Sequence, residues 1–152
     1  MAVAVFNTPE VQGYVLFDDT LQQPVCMKVT AYFTKLPTGL HGFHIHKAGD
    51  LRGEGCKGAC DHFDIGNHKH GGPPNTPGER HTGDLGNIFI NNNLFEAVYY
   101  LNDVKVQDVY GRSVIVHADE DDYGKGGKED SLTTGHAGAR IACAIIGRKD
   151  CK

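Results

Sequence analysis

The sequence predicts an all-β domain, an eight-stranded Greek-key sandwich or barrel that carries two long functional loops. Three observations lead there. Twenty glycines among 152 residues mark frequent turns. No apolar pattern holds the 3.6-residue period of an amphipathic helix. Short alternating or β-branched runs recur along the chain, and turn residues separate most of them. A chain of 152 residues has room for one ordinary domain, read here as residues 1–152.

The runs come in order. Ala2 to Phe6 and Gly13 to Phe17 open the chain, Val25 to Phe33 is the longest of the early ones, and Leu40 to His46 ends in a pair of histidines. Ile88 to Ile90, Ala97 to Leu101 and Val104 to Val106 follow, then Ser113 to His117 and Arg140 to Ile146. Each has strand length, and about eight short antiparallel strands in a chain this size suggest a Greek key. Two stretches break the spacing. Gly49 to Gly83 is rich in Gly, Pro, His and charge, and Ala118 to Gly138 is rich in Asp, Gly and Lys. Long loops inside a compact domain are usually functional or disordered, and the histidines of the first count against disorder.

Composition removes several function classes. No apolar run approaches the roughly 18 to 20 residues of a membrane-spanning helix. Lys plus Arg number 15 against 19 for Asp plus Glu, a formal charge of -4, without the basic stripe of a nucleic-acid binder. An anionic substrate must therefore be drawn by local positive charge. The Met1 to Pro9 segment has neither a basic region before its apolar run nor a small-residue cleavage site after it, so a cytoplasmic location is expected. Five cysteines in a reducing compartment leave metal binding or a single protected bridge as alternatives.

Nine histidines are the unusual feature. His44 and His46 lie two apart, and the period of a strand puts both imidazoles on one face, roughly 7 Å apart at Cα. His62, His68, His70, His81 and Asp84 follow in the glycine-rich loop, and His117 ends the apolar run Ser113-Val114-Ile115-Val116-His117. A nitrogen-only tetragonal site suits Cu(II), whereas three imidazoles and a carboxylate in a tetrahedron suit Zn(II). Two different metals fit the set.

Gly42-Phe43-His44-Ile45-His46, Lys69-His70-Gly71-Gly72, Arg80-His81-Thr82-Gly83-Asp84-Leu85-Gly86-Asn87, Gly124-Lys125-Gly126-Gly127 and Ala137-Gly138-Ala139-Arg140-Ile141-Ala142-Cys143 together resemble the copper/zinc superoxide dismutase family, in order and over almost the whole chain. The resemblance implies copper on His44, His46, His62 and His117, and zinc on His62, His70, His81 and Asp84. His62 would bridge the ions, giving up its second ring proton between two cations. Asp121 matches an outer carboxylate that accepts hydrogen bonds from His44 and His70 and so fixes their tautomers. His68 lies outside the pattern as a solvated loop residue, and His41 is expected to be structural.

The implied activity is dismutation. Cu(II) oxidises one superoxide to oxygen, Cu(I) reduces a second, and two protons complete hydrogen peroxide. Zinc, without redox chemistry, would hold His62 and shape the loop. In the family mechanism His62 is released on its copper side, protonated, and later delivers that proton. Arg140 matches the anion-binding guanidinium beside copper, a planar donor that stays charged. Asp119 and Thr133 stand where many relatives carry lysine, and Lys128 is basic where many are not. An altered salt dependence of the rate is therefore expected.

Cys56 and Cys143 match the family's intrasubunit disulfide. Cys26 is expected to be a buried apolar thiol and Cys151 a free tail thiol. Cys60 departs from the pattern and could compete for Cys56. Further departures are the longer loop through Pro73-Pro74-Asn75-Thr76-Pro77-Gly78 and His136 where asparagine is usual. Relatives that depend on a copper chaperone often carry prolines beside the arginine, where Ala139 and Ile141 stand, so a dedicated chaperone is not expected to be required. A homodimer is expected, with contacts from Tyr110-Gly111 and Ile146-Gly147. The rival readings are a non-catalytic chaperone-type domain, a zinc-only structural sandwich and, least favoured, a zinc hydrolase, whose open water position the three-His-plus-Asp set would fill.

Overall fold

The computed structural model describes residues 1–151, and they form two antiparallel sheets packed face to face. The strands are β1 Ala2–Asn7, β2 Gln12–Asp19, β3 Cys26–Lys35, β4 His41–His46, β5 Asp84–Ile88, β6 Phe95–Asn102, β7 Ser113–His117, β8 Arg140–Ile145 and β9 Gly147–Arg148. One sheet has the order β6-β3-β2-β1-β9 and the other β5-β4-β7-β8. The chain crosses between sheets after β3, β5, β6 and β8, which is the Greek-key connection pattern. The last predicted run is split at Ile146: β8 pairs with β7 in one sheet and β9 with β1 in the other, so one continuous segment joins the two sheets.

Alternation explains the first sheet. In β3, Met27, Val29, Ala31 and Phe33 are buried while Lys28, Thr30 and Tyr32 face outward at half burial. Phe33 meets Phe43 of the opposite sheet edge-on, centroids 5.7 Å apart, and Phe6 packs on Phe33 at 5.4 Å. The second sheet reads differently, since all six residues of β4 and all five of β7 are buried. Its inner face meets the core, and its outer face lies under the two long loops, residues 47–83 and 118–139.

Three sequence expectations are corrected. Val104 to Val106 is not a strand. After the positive-φ turn at Asp103 the chain forms a 3-10 turn over Val106–Asp108, whose preceding N–H, on Lys105, donates to Asp108 Oδ2 at 2.8 Å. Both valines are buried, so an i, i+2 apolar pair imitated a strand. Of the run at Ile88 to Ile90 only Ile88 is in a strand, the last residue of one that starts at Asp84, which therefore stands on β5 rather than in the loop. Gly86, at φ 84°, gives this strand the sequence signature of a turn. Ile146, expected at a subunit contact, is 1% exposed and belongs to the core. The exposed neighbour is Ile145.

Candidate metal centre

β4 sends Phe43 and Ile45 into the core, which leaves His44 and His46 on the face beneath the loops. The first loop is tied down on this strand. Lys47 N–H donates to Asp61 O at 2.9 Å and Phe63 N–H to Ile45 O at 2.8 Å, so His62 lies opposite His46 in an isolated antiparallel bridge. Gly83 closes the layer: Ile45 N–H donates to its carbonyl at 2.9 Å, and a Cβ on Gly83 would collide with Ile45 O. β7 places His117 beside this group from the other side, where its backbone pairs with Arg140.

Two buried donor groups result. His44, His46, His62 and His117 form one, and His44, His62, His70 and Asp84 the other; in each, the ligand atoms lie within 4.8 Å of one another. His46 Nε2 and His117 Nε2 are 3.4 Å apart, and their other nitrogens donate outward, His46 Nδ1 to Cys60 O at 2.9 Å and His117 Nδ1 to Gly138 O at 3.1 Å. Deeper in, His62 Nδ1 lies 2.8 Å from Asp84 Oδ1, while His81 Nδ1 approaches to 3.2 Å of His62 Nδ1 and 3.4 Å of Asp84 Oδ1. His81, less buried than the rest, lies beside the second group, whose mutually close donors are His44, His62, His70 and Asp84.

Asp121 spans the two groups. His44 Nε2 donates to its Oδ2 at 2.6 Å and His70 Nε2 to its Oδ1 at 2.8 Å, and all three side chains are buried. This leaves His44 one nitrogen, Nδ1, to offer. His62 is the imidazole of the shared pair that presents both nitrogens to donor groups. Asn87, which the sequence reading did not single out as a site residue, holds Asp121 in place: its Nδ2 donates to Asp121 O at 2.9 Å and Asp121 N–H donates to its Oδ1 at 2.7 Å. Its place at the end of the Asp84-Leu85-Gly86-Asn87 motif was the signal that could have found it.

The donors fit metal ions by a test internal to the chain. His44 Nδ1, His62 Nε2 and His70 Nδ1 are buried without a hydrogen-bond partner among the described residues. His70 Nδ1 stands 3.0 Å from Asp84 Oδ2 without forming a hydrogen bond, which leaves the geometry at fault rather than the distance. A buried polar atom without a partner costs about 1–3 kcal/mol, and three such atoms pointing into donor clusters are ligand positions.

Electrostatics agree. Burial pushes the imidazolium forms of His44, His46 and His62 down, and takes His117 to about 4, so these rings are neutral and able to coordinate at neutral pH. Burial also opposes charge on His70, but Asp121 and Asp84 on either side outweigh it and raise His70 to about 9. Asp84 is buried too, yet His62, His70 and His81 hold its carboxyl well below the usual range. A cation loaded at His70 must displace a proton from it.

Arg140 lies at the mouth. Its Nη1 donates to Cys56 O at 2.9 Å and its Nη2 to Cys60 O at 2.6 Å, and with His46, His62 and His117 it lines a cleft of about 730 Å³. Cys56 is disulfide-bonded to Cys143, 87 residues on, with Cα atoms 6.3 Å apart. Cys60 and Cys151 are free and exposed. Cys26, expected to be buried, is half-buried, and its thiol lies 3.5 Å from the Thr20 hydroxyl because the strand begins there at the sheet's rim. His41 is buried against the carbonyls of Pro37, His117 and Ala118, and exposed His68 meets Asp64 at 3.0 Å; both lie outside the donor groups.

A Greek-key sandwich that holds an all-imidazole group beside an imidazole–carboxylate group, with a cationic side chain at the mouth, defines a binuclear metalloprotein. A family model described as "Copper/zinc superoxide dismutase (SODC)" matches residues 11–146. The chain is 43% identical over 151 residues to the "Superoxide dismutase [Cu-Zn]" of Paramecium bursaria Chlorella virus 1, an alignment covering 96% of this chain and 77% of that relative. The chain belongs to the copper/zinc superoxide dismutase family: it is an oxidoreductase whose cofactors are copper and zinc and whose substrate is superoxide.

Proposed function

We propose that copper is held by His44, His46, His62 and His117, and zinc by His62, His70, His81 and Asp84, in a chain that disproportionates superoxide. The observation that carries the assignment is the convergence of the four imidazoles of the first group on one buried point, with His62 shared between groups. With Nε2 on Asp121, His44 has one nitrogen to give and can serve one ion; we assign it to copper beside His46 and His117, and the fourth zinc position to His81, whose Nδ1 lies 3.4 Å from Asp84 Oδ1. When bound, copper supplies a one-electron Cu(II)/Cu(I) couple and zinc a fixed charge without redox chemistry.

The chain's own groups do the rest. Arg140 presents a permanently charged fork to an anion in the cleft, and its grip on the Cys56 and Cys60 carbonyls aims that fork without neutralising it. His62 faces Asp84 with Nδ1 and leaves Nε2 unpartnered, so Nε2 is the atom that would hold a proton for the substrate whenever no cation occupies it. Across both halves two superoxide ions and two protons become one oxygen and one hydrogen peroxide. Asp121 fixes the tautomers of His44 and His70.

The protein is a cytoplasmic homodimer that matures without a dedicated copper chaperone. Support for the dimer is the face where Gly111 N–H donates to Ile146 O at 2.9 Å, bordered by Tyr110, Gly147 and the exposed Ile145. Support for the maturation reading is Ala139 and Ile141 beside Arg140. The deciding experiment is superoxide decay after pulse radiolysis, with one copper and one zinc per chain and enzyme far below substrate. Catalytic decay that vanishes on copper removal supports the reading, and stoichiometric or absent decay overturns it. Activity in a chaperone-deleted host given ample copper checks the maturation reading.

A further inference from the structure

We infer that Lys69, on the first loop, is the residue that draws the anionic substrate to the cleft, a role that rests on the dismutase reading above. The cleft has three cationic side chains on its walls, Lys47, Lys69 and Arg140, and three carboxylates, Asp61, Asp64 and Asp130. Asp61 faces a lysine, and Asp64 and Asp130 each face a histidine. Asp61 lies 3.7 Å from Lys47 Nζ, Asp64 lies 3.0 Å from His68 Nδ1, and Asp130 lies 2.6 Å from His136 Nδ1. Lys47 is therefore offset by its partner, and Arg140, aimed by the Cys56 and Cys60 carbonyls, is the fork that binds the anion once it arrives. Lys69 is exposed and, among the described residues, has no carboxylate within ion-pair distance; only its backbone N–H engages an acid, Glu79 Oε2 at 2.9 Å.

The second loop contributes no lysine to this cleft. Its wall there is Leu132, Thr133 and Thr134. Lys128 lines a separate hollow of about 410 Å³ with Asp119, Glu120, Asp122 and His136, where acid surrounds it. The one lysine of the cleft without an acidic partner, among the described residues, thus stands on one side of the entrance, on the zinc-holding loop. A full charge within about a Debye length of a binding point biases encounter of an oppositely charged ion, and salt removes the bias. With a net charge of -4 over the whole chain, attraction of an anion to the cleft depends on such a local unpaired cation.

The test uses copper- and zinc-loaded protein, with kcat/KM for superoxide measured from low to high ionic strength. Lys69→Gln should lose about two- to fourfold at low salt and converge with wild type at high salt, Lys69→Arg should restore both rate and salt slope, and Lys128→Gln should match wild type. Metal content is measured alongside. The inference is overturned if Lys69→Gln keeps the wild-type rate and slope, if Lys128→Gln loses as much, or if the loss in Lys69→Gln follows missing zinc. A fully metallated wild type that does not turn over superoxide would instead remove the dismutase reading itself.

Discussion

Arg140 and His46 donate to the same oxygen: the Cys60 carbonyl accepts from Arg140 Nη2 at 2.6 Å and from His46 Nδ1 at 2.9 Å. One backbone group thus sets the distance between the anion-binding guanidinium and a ring of the all-imidazole group. The disulfide anchors the same turn at Cys56, whose carbonyl takes the other arm of the guanidinium. Arg140→Lys keeps the charge but cannot hold both carbonyls, so its kcat/KM should fall roughly tenfold, with copper content unchanged. Pulse radiolysis with metal analysis checks this, and a full rate in the lysine variant would show that the clamp is dispensable.

Cys60 has φ 63° and ψ -147°, a region nearly reserved for glycine. Cys60→Gly should relieve strain of about 1–3 kcal/mol, less about 0.5–1 kcal/mol for the entropy of glycine in the unfolded chain. A net gain near 1 kcal/mol in chemical denaturation, with the carbonyl contacts and activity retained, is the expected outcome. Cys60→Ala keeps the strain and should show no such gain.

Asp121 holds two rings from two different donor groups. Asp121→Asn retains one acceptor oxygen and turns an amide N–H₂ toward the other ring N–H, so metal affinity should drop about 10- to 100-fold. Competition with a chelator measures it. Gly135→Ala should do the same indirectly, because its φ is 76° and a Cβ there would collide with Asp121 Oδ1 and His70 Nε2.

Stability of the metal-free chain should peak near pH 6.5. Below that point the unfolded chain protonates its histidines first, while burial keeps His44, His46, His62 and His117 neutral when folded, so stability is lost as pH falls from about 6.5 toward the folded value of about 4 at His117. His70 acts in the opposite sense. Its folded pKa of about 9 gives stability that is complete below 6.5 and fades as pH rises to 9. Denaturant midpoints at a series of pH values test both limbs, and a midpoint unchanged between pH 7 and 5 would contradict the first.

Cutting the Cys56–Cys143 bridge should cost about 4 to 5 kcal/mol on the chain-entropy account of a loop this long. Cys143→Ala, followed by thermal unfolding, gives the number. The same variant should lose more activity than copper, because the turn that aims Arg140 is then free to move.

Much of this protein is visible in residue type and spacing. His44 and His46 two apart on a strand, His117 at the end of an apolar run and the Asp84 motif announce the metals, since coordination chemistry restricts which side chains can serve. The apolar alternation of β3 announces a half-buried sheet. In the second sheet burial on both faces erases the alternation, yet β4, β7 and β8 are legible as runs of strand length; β5 alone is hidden, because Asp84, Gly86 and Asn87 read as a turn.

What the sequence determined by itself is the chemistry available: which ligands exist, which segments extend, and that the domain is all-β. Only the tertiary structure decided which donors meet. His44 reaches Asp121 across 77 residues and Arg140 reaches Cys60 across 80, contacts set by how two sheets and two loops pack rather than by local spacing. The Cys60 and Gly138 carbonyls belong to the same category. Every residue carries such a group, so no side-chain pattern marks the ones that act, and the fold selects them by turning two loops onto one buried face.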